Sequence, residues 1–140
     1  MLLRAASGRV PGFVGKQDEL VFVVVDLDSL IAAGYSLVVT DGHPVARLTQ
    51  FLPDRFSVET AVDWDLMDEQ IWADTGADGD RLRRRQAELL VHDRIRLTEV
   101  LGFAVHTVSS QAAVVALLSG SPSSALPVLV RPGFYYEGKP

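Results

Sequence analysis

The chain has 140 residues, 48% of them hydrophobic and 22% charged, with a net charge of −5. That balance describes one globular domain with a single core, residues 1–140, and excludes a disordered segment. No cysteine is present, which removes disulfides, thiol catalysis and thiolate zinc sites together. No apolar run approaches the roughly 20 residues that cross a bilayer, and Met1-Leu2-Leu3-Arg4 leads into no signal-like stretch. A cytoplasmic protein without a membrane partner is expected.

Residues 1–18 contain Gly8, Pro11, Gly12 and Gly15 with little periodicity and read as loop. Residues 20–27 (Leu-Val-Phe-Val-Val-Val-Asp-Leu) are continuously apolar up to Asp26 and suit a central strand covered on both faces. Asp28 or Ser29 can cap a short helix through Ala33, with Gly34 ending it. Residues 36–40 predict a second strand that closes at Asp41-Gly42. Pro44 suits the first turn of a helix whose apolar side is Val45, Leu48, Phe51 and Leu52, broken by Pro53.

Asp63 is a plausible N-cap, after which Trp64, Met67, Ile71 and Trp72 recur at helical spacing. Residues 73–80 hold two glycines and three aspartates and predict an exposed loop. Residues 81–101 are rich in Arg, Gln, Ala, Glu and Leu, all good helix formers. On spacing alone Glu88 is then a surface carboxylate pairing with Arg84 or Arg85 one turn away. Residues 102–108 form another strand candidate, Ser109 or Ser110 caps a helix over 111–118 ended by Gly120, and residues 127–130 are a last short strand. Pro132-Gly133 then turns the chain. Strands interspersed with helices, without repeat or linker, give a mixed α/β (α+β) sheet domain.

Charge is unevenly placed. Arg81, Arg83, Arg84, Arg85, Arg94 and Arg96 are six of the 13 basic residues, while nine of the 18 acids fall between Asp54 and Asp80. The stretch around Glu88 is therefore locally basic despite the acidic total, unless those charges only form a solvated face.

Trp72-Ala-Asp74-Thr75-Gly-Ala-Asp78-Gly-Asp80-Arg81, followed by Arg84-Arg85-Gln86-Ala87-Glu88-Leu-Leu-Val91, resembles the signature of DarT-type toxins. Thr40-Asp41-Gly42-His43, Asp63-Trp64-Asp65 and Val130-Arg-Pro132-Gly133-Phe-Tyr135-Tyr136 match in order, so the resemblance runs nearly end to end. It departs where Gly76 and Gly79 stand in place of the family's usual prolines, and it begins late. The resemblance implies an ADP-ribosyltransferase-like sheet with flanking helices. It also implies NAD-dependent ADP-ribosylation of bases in single-stranded DNA, by the toxin of a toxin–antitoxin pair whose partner is a DarG-like macrodomain antitoxin. NAD is the co-substrate and no metal is expected. Against propensity, it makes residues 86–91 a core strand with Glu88 facing a cleft and Leu89 facing the core.

ADP-ribose transfer loosens the nicotinamide–ribose bond and leaves positive charge on the ribose ring, much as glycoside cleavage does. One ionised carboxylate beside the ring stabilises that charge and can hold a ribose hydroxyl. By resemblance that carboxylate is Glu88. The loop ahead of it, with Arg81, Arg84 and Arg85, would recognise the DNA acceptor by phosphate contacts or base stacking. Trp72, where the helix gives way to the loop, and His43, after its turn, would approach the same strand. A base inside a duplex is inaccessible, so a single strand or flipped base is expected. The family's NAD-binding residues, a histidine-bearing first strand and an arginine, fall upstream of Met1, so the chain is expected to be N-terminally truncated, poor at NAD turnover alone and prone to self-associate.

Two other classes stay open. One is a catalytically inactive DNA-binding or interaction remnant of such a toxin. The other is a metal-dependent nuclease using the acids between Glu59 and Asp80. His92 and His106 have no paired ligand spacing, which gives no support to a metal site.

Overall fold

A computed structural model of the chain describes residues 15–53, 57–69 and 71–135. In chain order the elements are strand β1 (Phe22–Val25), helix α1 (Leu27–Ala32), β2 (Leu37–Thr40), β3 (Phe51–Leu52), α2 (Ser57–Ala61), α3 (Trp64–Asp68), α4 (Arg81–Arg84), β4 (Leu89–Val91), β5 (Val100–Val105), α5 (Val108–Leu118) and β6 (Val128–Val130), with short 3-10 turns between. The expected mixed α/β class is what forms. Among the described residues, no helix is long and apolar enough to cross a membrane. The loop expected over residues 1–18 falls mostly outside the described residues; Gln17–Glu19 form a 3-10 turn.

The described residues group into two compact units. One holds those up to Ser29 together with those from Arg96 onward, and the other is Leu30–Ile95.

In the first unit β5 is the central strand, antiparallel to β1 and parallel to β6. Among the described residues β1 is thus an edge strand with Val23 exposed, not the doubly covered strand its apolar run suggests. A β-branched run favours extended backbone but does not set a strand's place in the sheet. Ala104, Val105, Val128 and Tyr135 form the core. The Tyr135 hydroxyl donates to the carbonyls of Leu20 and Ala104, and Phe22 meets its ring edge-on. α5 is capped by Thr107, whose side chain accepts from the Ser110 amide, two or three residues before the caps proposed from sequence. Gly120, at φ +76°, stands just beyond its end.

In the second unit β2 lies between β3 and β4, antiparallel to both, with Val39 opposite Leu89 and Thr40 opposite Phe51. Leu30, Val39, Thr40 and Leu66 are buried at its centre.

Local chemistry explains where sequence and structure part. Asp26, rather than Asp28 or Ser29, opens α1 by accepting from the Ser29 amide and hydroxyl, and Gly34 at φ +78° follows its end as expected. The helix expected after Pro44 does not form. Val45 and Leu48 are exposed, so its apolar side has nothing to pack against. Asp41 instead accepts the Gln50 amide at 2.8 Å, closing residues 41–50 into a turn-rich loop that returns the chain as β3.

α3 begins as expected, with Asp63 accepting from the Leu66 amide at 3.1 Å. It stops at Asp68, so Ile71 and Trp72 do not lie on it. Guanidinium groups take the carbonyls of Met67, Glu69 and Ile71, which diverts the chain from further helical bonding. α2, over Ser57–Ala61, had no clear periodic signal beforehand.

Candidate active site

The candidate site residues His43, Trp72, Arg81, Arg84, Arg85 and Glu88 all lie in the second unit. The competition between helix and strand over residues 81–101 resolves within a few residues. One turn of helix, Arg81–Arg84, hands over to β4 at Leu89. The strand is shorter than the expected 86–91, because Gln86 still belongs to the helix end and donates back to the Leu82 carbonyl. Helix-forming residues dominate the stretch by count, but pairing with β2 overrides them at residues 89–91.

Glu88 sits at the entry to that strand and is exposed. Its backbone is fixed by Thr40, which is fully buried. The Thr40 hydroxyl accepts from the Glu88 amide at 2.9 Å and donates to the Glu88 carbonyl at 3.2 Å, while the Thr40 amide donates to the same carbonyl at 2.8 Å. The main chain is therefore held on both polar groups while the carboxylate stays outside. Beside it, Val39, Val58, Val62, Trp64, Met67, Ala87, Glu88 and Leu89 line a cleft of about 300 Å³. Among the described residues, Glu88 is the one ionisable residue in that lining.

The arginines divide into two kinds. Arg81 and Arg85 are buried, 8% and 5% exposed. Arg81 donates to Glu69 at 2.5 Å and to the Ile71 carbonyl at 2.9 Å. Its pKa is raised above the usual arginine value chiefly by the Glu69 hydrogen bond. Arg85 donates to the carbonyls of Met67, Glu69 and Ile71, and its guanidinium lies 4.2 Å from the Trp72 ring centroid. Together they staple the end of α3 beneath the loop.

Arg83 and Arg84 are half-buried and face acids. Arg84 bonds the carboxylates of Asp63 and Asp78. Arg83 chelates Asp80 through Nε and Nη2 at 2.8 and 2.7 Å and reaches Asp41 through Nη1 at 2.9 Å. The Arg83 hydrogen bond holds Asp80 below the usual carboxylate pKa, and Asp80 raises Arg83 in turn. The basic stretch is thus largely matched by the acids just upstream. Sequence reasoning weighed total local charge and passed over Arg83; the acids spaced along 41, 63, 69, 78 and 80 were the signal that such pairing was available.

The acidic loop is ordered by its own side chains. Asp74 accepts from the Leu82 amide, Asp78 from the Asp80 amide, and the backbones of Thr75 and Asp78 bond each other. Of the acids that a metal-dependent nuclease would use, Asp63, Glu69, Asp74, Asp78 and Asp80 are engaged by arginines or amides. Among the described residues, no group of three or more His, Asp or Glu side chains is placed to hold a metal ion.

His43 lies at the loop after β2. Its Nδ1 accepts from the Val45 amide at 3.1 Å, which leaves Nε2 as the N–H that can face a ligand. Its backbone amide donates to the Arg83 carbonyl at 3.0 Å. Trp72 is half-buried on Arg85. The Thr40-Asp41-Gly42-His43 segment and the approach to Glu88 are therefore neighbours, joined by Thr40 at one end and Arg83 at the other.

The model of a family described as ssDNA thymidine ADP-ribosyltransferase, DarT, matches residues 1–136. A DNA ADP-ribosyl transferase of Mycobacterium tuberculosis is 29% identical over 125 residues, which cover 89% of this chain and 54% of that protein. The chain thus spans about half the length of the curated relatives it matches. Thermus sp. 2.9 DarT in complex with NAD+ superposes with a TM-score of 0.84 at 24% identity, covering 96% of this chain and 66% of that one. The same protein in complex with ADP-ribosylated ssDNA also gives 0.84 at 24% identity, over 96% and 63% of the two chains. Thermosipho africanus DarTG in complex with ADP-ribose gives 0.72 at 18% identity, over 97% of this chain and 33% of that one. These structural likenesses establish the fold.

Proposed function

This chain belongs to the DarT family, and on that premise we propose that it serves the transfer of ADP-ribose from NAD to a thymidine base in single-stranded DNA, with Glu88 as the catalytic residue. The observation that carries the reading is the way Thr40 fixes the Glu88 backbone while leaving its carboxylate exposed beside a cleft. In the reaction the nicotinamide–ribose bond breaks, nicotinamide leaves with the bonding pair, and a base nitrogen forms the new bond to the ribose as its N–H proton passes to solvent. Glu88 stabilises the positive charge on the ribose as those bonds exchange.

His43, Trp72 and Arg84 are the DNA-facing residues of this reading. Nε2 of His43 is available as a donor, and the half-buried Arg84 would reach a strand by exchanging its ion pair with Asp63 or Asp78 for a phosphate. Arg81 and Arg85 contribute by holding that loop from beneath, since their guanidinium groups are turned onto protein carbonyls. We extend the reading to a cytoplasmic toxin partnered by a DarG-like macrodomain antitoxin; the name of the Thermosipho africanus neighbour, DarTG, supports the pairing.

The test is to incubate the full-length protein that carries residues 1–140 with NAD and defined oligonucleotides and weigh the products by mass spectrometry. An ADP-ribose adduct is expected on single strands containing thymidine, with a chelator making no difference. Adducts would be absent from duplexes and from thymidine-free strands. Strand cleavage that requires magnesium would support a nuclease instead, and DNA binding with no adduct would support a non-catalytic remnant.

A further inference from the structure

We propose that Arg83 is a positioning residue that locks the turn bearing His43 against the segment leading into Glu88, and so sets how a base of a DNA strand meets the catalytic carboxylate. The functional half of this inference rests on the reading above; the structural half stands on the clasp itself. Arg83 grips with two edges of its guanidinium. Its fork takes both carboxylate oxygens of Asp80 at 2.7 and 2.8 Å, while Nη1 reaches Asp41 at 2.9 Å. Asp41 in turn accepts the Gln50 amide at 2.8 Å, so the same carboxylate closes the loop that carries His43. The Thr49 hydroxyl donates to the His43 carbonyl at 2.7 Å, and the His43 amide donates to the Arg83 carbonyl at 3.0 Å. Loop, arginine and acidic turn are one connected network, and a planar bidentate fork fixes its geometry where an ammonium would not.

Gly42 supplies the independent observation. A Cβ built there would lie 2.5 Å from Nη1, 2.9 Å from Cγ and 2.9 Å from the carbonyl oxygen of Arg83. The arginine is therefore seated directly on the glycine, and because a backbone oxygen is among the close atoms, swinging the side chain away does not make room. Gly42 is the place in the Thr40-Asp41-Gly42-His43 motif where a side chain would push the clasp apart. Arg83 is five residues ahead of Glu88, whose backbone is tied to Thr40 two residues before Gly42. The clasp and the Thr40 bonds thus join the same two segments at consecutive points.

The experiment compares wild type with Arg83→Met, Arg83→Lys and Gly42→Ala, measuring amide exchange residue by residue and, separately, kcat and KM for transfer. For Arg83→Met and Gly42→Ala, exchange at the His43 and Glu88 amides should rise about tenfold, while the Val39 and Leu90 amides inside the sheet keep their protection. kcat should fall about a hundredfold with KM for NAD unchanged, since misplacement of about 1 Å is enough for that loss. Arg83→Lys should fall between, because one ammonium cannot hold both carboxylates in the fork's geometry. Wild-type exchange and kcat in both Arg83→Met and Gly42→Ala would overturn the proposal, as would a uniform loss of protection that marks a merely structural role. If the wild-type protein transfers no ADP-ribose, the functional reading falls, while the exchange data still decide whether Arg83 positions these segments.

Discussion

Thr40 and Glu88 face each other across the ends of β2 and β4, and one hydroxyl satisfies both backbone groups of the glutamate. It accepts from the amide at 2.9 Å and donates to the carbonyl at 3.2 Å. An exposed carboxylate is thereby anchored to a fully buried residue. A catalytic charge needs a fixed main chain behind it, because orientation is much of what it contributes.

Thr40→Val keeps the shape of the side chain and removes only the hydroxyl. It leaves the Glu88 amide without its partner, which costs about 1–3 kcal/mol when a donor is left unsatisfied. Urea unfolding should show a loss in that range. The rate of transfer should fall by a larger factor than the stability loss alone explains, because the carboxylate is freed to wander. A variant with unchanged stability and rate would show that the hydroxyl is incidental.

Arg85→Met tests the buried staple. The carbonyls of Met67 and Glu69 lose their donor at once, while that of Ile71 keeps its bond from Arg81. A destabilisation of about 3 kcal/mol is expected, from polar groups left unpaired near the end of α3. The salt dependence of single-stranded DNA binding by the folded fraction should stay as in wild type, since this guanidinium is turned inward. A flattened salt slope with normal stability would mean that Arg85 contacts phosphate instead.

Asp80 gives a pH dependence with a defined sign. Its carboxyl is held below the ordinary value of 3.8, first by the hydrogen bond from Arg83. Because the folded value lies below the unfolded one, its contribution to stability is fully present above that ordinary value. It is lost as the pH falls through the lowered folded value. Asp80→Asn should be less stable than wild type at neutral pH and should lose less between that pH and strong acid. Parallel acid-stability curves for the two proteins would remove Asp80 from the clasp.

Much of the site was legible before the fold was known, and the reasons differ by residue. The family resemblance, not spacing, singled out Glu88, while the Asp63 cap, the Gly34 helix end and the second strand followed from short-range chemistry. The helix after Pro44 failed because Asp41 captures Gln50 nine residues on, a contact that no local pattern encodes. α3 ended early because the Arg85 guanidinium took the carbonyls of Met67 and Glu69 at its end, again a long-range event. The basic run looked available to DNA because its partners, at positions 41, 63, 69, 78 and 80, come together only on folding. Arg83 was passed over for the same reason.

The most direct measurement of the central claim is the initial rate of ADP-ribose transfer from NAD to a thymidine-containing single strand, for wild type against Glu88→Gln. The substitution keeps size and hydrogen-bonding reach but removes the charge. If Glu88 stabilises the positive ribose, the rate should fall by at least about a hundredfold, as removal of one preorganised charge or donor commonly does. The melting temperature should be unchanged within error, because the side chain is exposed and its backbone is held by Thr40. A Glu88→Gln protein that transfers ADP-ribose at the wild-type rate would contradict the assignment.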